Sequence, residues 1–386
     1  MLIPRLLTPI ALARARDYPV VTITGPRQSG KTTLCRQAFP SLAYVNLEDP
    51  TEREFARNDP RGFLGRLRDG AIIDEVQRVP DLLSYIQVQV DEHNRPGQFI
   101  LTGSYQFELM RTVTQSLAGR TALLRLLPLS INELRRARID CSVDRLLFCG
   151  GYPRIFADPS TLDPSTLLGD YFETYIERDL RQLIDLRNLS EFRRFVQLCA
   201  GRSGQLLNLH SLGNDAGITA NTCKAWINLL EASFVIFRLP PWFENLSKRL
   251  VKSQKLYFYD VGLAAWLCGI RDQGQVASHP LRGHFFENLV ILEFLKHFAN
   301  QGLNQPLYFY RDSNGVEVDL LIENTNRPGG IGLVEIKSAE TYHHHFAKNL
   351  YQVGSMLGER TARQMVVYGG SDNFIRQDIE VAGVAS

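Results

Sequence analysis

The chain has 386 residues, with 43 Lys and Arg side chains against 41 Asp and Glu, which leaves a formal net charge of +2. An apolar fraction of 44% supplies enough hydrophobic material for packed cores, so the composition excludes a disordered or low-complexity chain. The length predicts two or three domains, and the near-neutral charge gives no overall argument for nucleic-acid binding. No segment reaches the roughly 18 uninterrupted apolar residues of a membrane span, the first residues lack the layout of a signal peptide, and no Cys-x-x-Cys pair occurs. We therefore expect a soluble, cytoplasmic protein without a membrane partner, a zinc site or a disulfide framework.

The first third of the chain alternates short β-branched runs with stretches of helical length. Continuous apolar strands separated by helices are typical of a parallel sheet with both faces covered. The sequence therefore predicts an α/β domain over residues 1–130. Its strand candidates are residues 20–23, 43–47, 71–73, 99–101 and 121–127.

A glycine-rich segment, Gly25–Thr32, follows the first strand candidate and fits the pattern G-x-x-x-x-G-K-[ST] at every fixed position. Its glycines let successive backbone N–H groups point at phosphate oxygens, and the next helix presents its positive N-terminal end. Lys31 is expected to reach the β- and γ-phosphates, and Thr32 to ligate Mg²⁺. A chance glycine-rich turn is the alternative, but the flanking strand and helix favour phosphate binding. The nucleotide-binding prediction comprises Gly25, Pro26, Arg27, Gln28, Ser29, Gly30, Lys31, Thr32, Thr33 and Ser104.

Two acids end the third strand candidate, where a buried strand has no need of them. Asp74 is expected to hold Mg²⁺, and Glu75 to polarise the attacking water as a general base. A solvated acidic turn is the alternative reading. Ser104, just after the next strand, is placed to lie between Glu75 and a γ-phosphate, although a helix N-cap would also explain it.

Cleavage of a γ-phosphate needs positive charge beyond that of Lys31. Arg120, in the segment 117–120, is the first candidate for an arginine finger, and Arg27 is the second. A surface salt bridge explains either arginine equally well.

Residues 131–275 are mostly helical in pattern, and residues 205–262 within them follow the order of a winged helix. Helices are predicted at 209–216 and from an N-cap at Thr219 to about 232, followed by strands at 234–239 and 256–259. The second helix is poor in side chains that read bases. The following hairpin could instead grip a phosphate backbone without reading sequence, or be a solvated loop on a packing module. Its basic side chains are Lys248, Arg249, Lys252 and Lys255.

Residues 276–386 open with a predicted amphipathic helix, 283–298, and contain a second group of charged side chains. Asp319 lies on the strand candidate 317–322, and Glu335 and Lys337 share one side of the strand candidate 332–336. If these strands pair, the two carboxylates could bind a divalent metal while Lys337 orients or activates water. Glu287 on the preceding helix could add a third carboxylate. An edge hairpin with exposed charges is the alternative. Gln352 is a weak additional candidate, and the run His343–His345 favours a solvated face over a metal site.

Together these segments resemble a group of prokaryotic AAA-type ATPases fused to a C-terminal domain of unknown function, DUF4143, which looks like a member of the PD-(D/E)xK nuclease superfamily. The resemblance is carried by residues 25–33, 44–49, 72–77, 101–104 and 117–120, and in the tail by 283–289, 310–322 and 334–338. It implies a five-stranded core, a winged-helix middle and a restriction-endonuclease-like end. It also implies an ATP and Mg²⁺ site at Gly30, Lys31, Thr32, Asp74 and Glu75, and a nuclease site with a second divalent metal at Glu287, Asp319, Glu335 and Lys337.

The leading hypothesis is a Mg²⁺-dependent ATPase whose nucleotide state controls a nuclease-like domain directed at DNA. The second is a slow nucleotide-switched module that binds a protein partner through a catalytically inactive tail. A sequence-specific regulator is a third, which the base-poor second helix disfavours. Oligomeric state stays open, because a finger acting between subunits would require a dimer or ring, whereas a monomeric switch would not.

Overall fold

The computed structural model describes residues 2–93, 95–104, 116–157, 163–177, 189–244, 253–304, 306–324 and 329–384. Lys248, Arg249 and Lys252 of the predicted basic hairpin lie outside these residues.

The N-terminal part contains the predicted parallel sheet, and its described strands lie in the order β2-β3-β4-β1-β5. Every residue of β1 is buried, as expected for a strand inside such a sheet. Because the strands run in the same direction, the loops after β1, β3 and β4 meet at one edge. The strands are β1 (Val20–Thr24), β2 (Ala43–Asn46), β3 (Ala71–Asp74), β4 (Phe99–Gly103) and β5 (Thr121–Arg125).

Helices cover both faces of this sheet, and alternate strand residues enter different cores. Ile73 and Leu101 belong to one hydrophobic cluster, whereas Ile72 and Ile100 belong to another. This two-faced burial explains why the strands read as continuous apolar runs. The helices are α1 (Thr8–Asp17), α2 (Lys31–Ala38), α3 (Pro50–Asn58), α4 (Pro60–Gly65) and α5 (Leu82–His93).

The middle of the chain is helical, apart from an antiparallel pair of strands. Thr219 caps its helix as predicted, because its hydroxyl accepts the backbone N–H of Thr222 at 3.1 Å. Two helices and the strand pair occur in the order expected for residues 205–262, and their reading as a winged helix stays a prediction. The elements are α6 (Ile131–Arg136), α7 (Val143–Cys149), α8 (Pro153–Ala157), α9 (Pro164–Tyr171), α10 (Leu189–Gly201), α11 (Leu209–Ala216), α12 (Ala220–Ala232), β6 (Ile236–Leu239), β7 (Lys255–Phe258) and α13 (Val261–Leu267).

The last part forms a mixed sheet in the order β12-β13-β11-β10-β9-β8. The central strand β10 pairs antiparallel with β9 and parallel with β11. The sequence predicted the long helix that opens this part, β9 and β10 within a few residues, but missed β12 and β13. The elements are α14 (Arg282–Asn300), β8 (Leu307–Arg311), β9 (Glu317–Asn324), β10 (Gly330–Lys337), α15 (Lys348–Leu357), β11 (Thr361–Tyr368), β12 (Phe374–Arg376) and β13 (Ile379–Gly383).

The long helix α14 lies in a hydrophobic core that it shares with the middle helices. Phe285 and Phe286 on α14 are fully buried in the same cluster as Phe192 and Phe195 of α10. The predicted division of the chain near residue 275 therefore crosses a continuous core. The division itself stays a prediction.

Candidate nucleotide and carboxylate sites

The segment Gly25–Thr32 curls around its own lysine at the edge of the N-terminal sheet. Lys31 is buried, and its Nζ donates to the carbonyl oxygens of Gly25 at 3.0 Å and Pro26 at 2.9 Å. Gly25 has φ +151°, and a Cβ there would lie 2.0 Å from the carbonyl oxygen of Leu126, so only glycine fits. Burial lowers the pKa of Lys31, against the opposing influence of Glu75 and Asp74. An anion entering the loop would therefore meet a preorganised ammonium group.

Asp74 lies beside the loop and gathers three hydroxyl groups. The Thr32 hydroxyl donates to Asp74 Oδ2 at 2.6 Å, and the Thr102 hydroxyl donates to Oδ1. Tyr44, which the sequence did not single out, donates its hydroxyl to Oδ2 at 2.8 Å. Burial and this contact with Asp74 raise the pKa of the Tyr44 phenol. A hydroxyl and a carboxylate within hydrogen-bond distance are the oxygen pair by which a nucleotide-bound Mg²⁺ is held in P-loop proteins.

Glu75 and Ser104, which follow the neighbouring strands β3 and β4, are in direct contact. Ser104 Oγ donates to Glu75 Oε2 at 3.0 Å, and the amide of Gln77, another residue that the sequence reading missed, donates to the same oxygen. The backbone of Glu75 is left-handed, with φ 56°. Two donors on one oxygen fix the direction of this carboxylate beside Lys31.

A cavity of about 580 Å³ lies at the loop and is also lined by residues from the middle of the chain. Lys31, Thr32 and Glu75 are among the residues that line it. Arg5 and Arg154, neither of which the sequence reading singled out, also line it. A volume of this size is in the range of small-molecule sites.

Arg120 does not line this cavity, and its role as an arginine finger stays a prediction. The residue precedes β5, and its carbonyl accepts the N–H of Val20 at the start of β1. The glycine-rich segment follows the opposite end of β1, roughly 13 Å away at about 3.3 Å per residue. Arg120 instead forms an ion pair with Asp91 on α5.

Arg27, the second finger candidate, lies at the cavity but is already engaged. Its guanidinium is 3.4 Å from Glu48 Oε1 and stacks over the Tyr175 ring at 5.6 Å. Its side chain is 13% exposed, which fits a residue that orders the loop.

Arg5 ties the phosphate loop to the rest of the chain. Its Nη1 donates to the carbonyl of Ser29 at 2.5 Å, and its Nε pairs with Glu133 at 3.0 Å. Two residues before Glu133, the N–H of Ile131 donates to Glu293 on α14 at 2.8 Å. A continuous set of polar contacts therefore joins the loop to α14.

The second group of predicted residues also comes together. β9 pairs with β10, which brings Lys337 Nζ to 2.7 Å from Glu335 Oε1 and 3.5 Å from Asp319 Oδ2. Asp319 also accepts the backbone N–H of Ile336 at 2.8 Å. Glu335 is 4% exposed, and its buried Oε2 has no hydrogen-bond partner among the described residues. Burial and the neighbouring Asp319 raise the pKa of Glu335 to about 8, against the opposing influence of Lys337.

Lys255 was expected on a basic hairpin that contacts a phosphate backbone or solvent. It is instead a buried member of this group of charged side chains. Its Nζ lies 3.1 Å from Glu287 Oε1 and 2.6 Å from Glu317 Oε1, and the residue is 3% exposed. Tyr257, two residues later on β7, donates its hydroxyl to Glu287 at 2.6 Å. Burial and Asp319 raise the pKa of Glu287, against the opposing influence of Lys255.

The resulting carboxylate cluster consists of Glu287, Glu317, Asp319 and Glu335, with Lys255 and Lys337 among them. Over the described residues, no group of three or more His, Cys, Asp or Glu side chains is already arranged to hold a metal ion. Gln352 and His343–His345 are exposed on the surface. The hairpin residue Lys255 was missed as a cluster member because it is distant in sequence from α14, β9 and β10.

No helix within the described ranges has both the length and the apolar character needed to cross a membrane.

Comparisons with known protein families divide the chain into three successive matched regions. Residues 17–135 match the AAA domain family, residues 141–274 match the domain of unknown function DUF8612, and residues 282–385 match the domain of unknown function DUF4143. The chain is 32% identical over 384 residues to two mycobacterial proteins, uncharacterized protein Mb2031c of Mycobacterium bovis and uncharacterized protein Rv2008c of Mycobacterium tuberculosis. The match covers 99% of this chain and 84% of each relative.

Two solved structures also match, each at 16% identity. The Walker-type ATPase PABY2304 of Pyrococcus abyssi matches with a TM-score of 0.44 over 68% of this chain and 94% of that chain. AMPPCP-bound DnaA from Aquifex aeolicus matches with a TM-score of 0.29 over 58% of this chain and 86% of that chain. From the family matches and the two mycobacterial relatives, the chain belongs to a family of AAA-type P-loop ATPases that carry a C-terminal DUF4143 domain.

Proposed function

We propose that this AAA-type ATPase hydrolyses ATP with Mg²⁺ and that its nucleotide state controls a metal-dependent site for DNA cleavage at its C-terminal side. The observation that carries the first part is the 2.6 Å hydrogen bond between Thr32 and Asp74, next to the buried Lys31. These three residues fit the magnesium and phosphate groups of a nucleoside triphosphate. Bound there, Mg²⁺ would neutralise charge on the β- and γ-phosphates.

The hydrolysis step follows from the position of Glu75. Its carboxylate accepts a proton from water as the water oxygen bonds to the γ-phosphorus and the bond from phosphorus to the β–γ bridging oxygen breaks. ADP leaves with that oxygen, and Lys31 stabilises the charge that develops. Ser104 holds Glu75 in a fixed direction through its 3.0 Å hydrogen bond.

A steady-state ATPase assay with Lys31→Ala and Glu75→Gln tests this proposal. Lys31→Ala should abolish binding or turnover, whereas Glu75→Gln should retain ATP binding and lose about 10²–10⁴-fold in kcat. Arg16→Ala is the control, because Arg16 is exposed on α1, away from the cavity lining. Unchanged turnover in Lys31→Ala would contradict the assignment of the phosphate loop.

The carboxylate cluster supports the second part of the proposal. Glu335, a member of the cluster, has one buried oxygen without a hydrogen-bond partner among the described residues, and burying such an oxygen is costly. A divalent cation bound by Asp319 and Glu335, joined by Glu287, would satisfy that oxygen and activate water for phosphodiester cleavage. Lys337, half-exposed beside both strands, would orient that water or the scissile phosphate.

Control by nucleotide is supported by two short structural connections between the nucleotide cavity and the carboxylate cluster. The first runs from the phosphate loop through Arg5 and Glu133 to α14, the helix that carries Glu287. The second is β7, which bears Lys255 and leads to Asp260, whose carboxylate accepts the N–H of Gly151 at 2.7 Å. Gly151 lies three residues before Arg154 at the nucleotide cavity. Coupling requires that ATP and ADP differ in how they bias these elements.

A cleavage assay on plasmid, linear and single-stranded DNA, with Mg²⁺ or Mn²⁺ and with or without ATP, tests the second part. Wild type should cut, Lys337→Ala should not, and Lys31→Ala should reveal whether ATP gates cutting. Lys348→Ala is the matched control, because Lys348 is an exposed lysine of the same domain.

The second candidate function, a nucleotide-switched binding module, is favoured by Lys255 and Lys337, which already neutralise part of the cluster. Calorimetric titration with Mn²⁺ separates the two candidates. Binding that is lost in Asp319→Asn and Glu335→Gln supports a metal site. Absence of such binding, with ATP still hydrolysed, supports docking of a protein partner.

A further inference from the structure

The nucleotide cavity contains four basic side chains, and three of them are already committed. Lys31 belongs to the phosphate loop, and Arg27 is paired with Glu48. Arg5 uses Nη1 on Ser29, Nη2 on the carbonyl of Leu127 at 2.6 Å, and Nε on Glu133. The fourth is Arg154, which lines the cavity and forms no ion pair with any residue that the structure describes.

The backbone that carries Arg154 is held firmly against the phosphate loop. Both polar groups of the Gly151 backbone are bonded, its N–H to Asp260 and its carbonyl to the N–H of Leu129, each at 2.7 Å. Pro153, which begins α8, approaches the loop so closely that its Cγ would be 3.9 Å from a Cβ placed on Gly30. Arg154 is the next residue and is exposed toward the cavity.

We propose that Arg154 is a catalytic residue that contacts the γ-phosphate of ATP bound to its own chain. The inference rests on the proposed hydrolysis of ATP. It assigns to Arg154 the positive charge at the γ-phosphate, because Arg120 does not line this cavity. As water bonds to the γ-phosphorus and ADP departs, charge grows on the γ-phosphate and bridging oxygens, and the guanidinium neutralises it. The proton of the water goes to Glu75, so the arginine exchanges none.

Arginine suits this position because its planar guanidinium can donate two hydrogen bonds to one phosphate group and stays charged. Arg154 comes from the middle of the chain, and it and Lys31 line the same cavity, so both could contact one γ-phosphate. ADP lacks that group. Arg154 therefore distinguishes ATP from ADP. It lies on α8, just after Gly151, whose N–H donates to Asp260.

The test compares Arg154→Ala, Arg154→Lys and the control Arg16→Ala for ATPase kcat, and for affinity toward ADP and a slowly hydrolysed ATP analogue. Arg154→Ala should lower kcat by about 10³-fold. It should weaken binding of the analogue at least tenfold, and leave ADP affinity within threefold. Arg154→Lys should recover only part of kcat. An unchanged kcat, or equal loss of affinity for ADP and the analogue, would overturn the proposal.

Mixing experiments decide between action within one chain and action across two chains. Arg154→Ala and Lys31→Ala proteins, each inactive alone, should stay inactive when mixed in equal amounts, and wild-type turnover per chain should not depend on protein concentration. Recovery of activity in the mixture would show that Arg154 acts on a neighbouring chain. If wild type shows no turnover above Lys31→Ala, the proposed hydrolysis fails, and the ratio of analogue to ADP affinity still decides whether Arg154 contacts the γ-phosphate.

Discussion

Asp260 accepts the backbone N–H of Gly151 at 2.7 Å, although 109 residues separate the two along the chain. The other oxygen of the same carboxylate accepts the N–H of Leu263 at 2.9 Å and caps α13. One buried acid thus joins the end of the hairpin that carries Lys255 to the loop that precedes Arg154.

The pH dependence of stability should report on this acid. Burial raises the pKa of Asp260 to about 6, against the opposing backbone hydrogen bonds. The folded state therefore holds the proton more tightly than the unfolded chain, whose carboxyl has a pKa near 3.9. The contribution of Asp260 to folding stability falls as pH rises through this window and is constant above the folded pKa.

Asp260→Asn removes this titration while retaining a side-chain acceptor for the helix cap. Between pH 5 and 7.5, wild type should lose about 1 kcal/mol of unfolding free energy relative to the variant. Urea denaturation of both proteins across that range measures the difference. A difference that stays constant with pH would contradict the raised pKa.

Gly150→Ala should be strongly destabilising. Gly150 has φ +67°, and a Cβ there would lie 2.1 Å from Asp260 Oδ1. Backbone strain and overlap together predict a loss of about 2–4 kcal/mol in urea unfolding. Gly201→Ala is the matched control, because a Cβ on Gly201 has open space and no unusual φ. Its unfolding free energy should stay within about 0.5 kcal/mol of wild type.

Ser104→Ala should separate catalysis from nucleotide binding. The variant removes the 3.0 Å donor to Glu75 but leaves the phosphate loop intact. We expect kcat to fall about tenfold, since one hydrogen bond to a charged group is worth about 1.5 kcal/mol or more. ATP affinity, measured by calorimetry, should change less than threefold. An equal loss in Ser84→Ala, on α5, would show that the effect is unspecific.

Lys255→Met should destabilise the fold and should not act through DNA contact. The substitution leaves Glu287 and Glu317 without their buried counterion, at a cost of about 3–5 kcal/mol. Adding Glu287→Gln to this variant should recover part of that loss, because one uncompensated charge is removed. Lys224→Met, at an exposed position of α12, should leave the urea midpoint unchanged.

Arg120→Ala should leave ATPase activity within twofold of wild type at all protein concentrations. Arg120 pairs with Asp91 at the end of the sheet opposite the phosphate loop. A loss of tenfold or more that depends on protein concentration would instead place Arg120 at the nucleotide of a neighbouring chain.

Local patterns in the sequence were enough to predict most residues of the candidate nucleotide site. The spacing of Gly25, Gly30 and Lys31 identifies a phosphate loop because its backbone geometry depends on adjacent residues. Asp74 and Glu75 follow from the rule that parallel strands end at one edge. Tyr44 and Arg154 were missed because each enters the site from a separate element, and nothing in its own segment marks it.

The carboxylate cluster shows the same division between local and distant information. Alternation along β9 and β10 correctly brought Asp319, Glu335 and Lys337 together. The hairpin lysine Lys255 was assigned to solvent because a basic hairpin usually is solvated, and only the packing of β7 against α14 reverses that reading.

The shared core around α14 determines how the molecule should respond to being cut. Phe285 and Phe286 lie among the aromatic side chains of the middle helices. The last hundred residues therefore share their hydrophobic core with the middle of the chain. Chain cleaved by protease between residues 275 and 282 should therefore migrate as one particle in gel filtration, and separate into two fragments only in denaturant. The same reasoning predicts that the tail, expressed alone, aggregates through the exposed face of this helix.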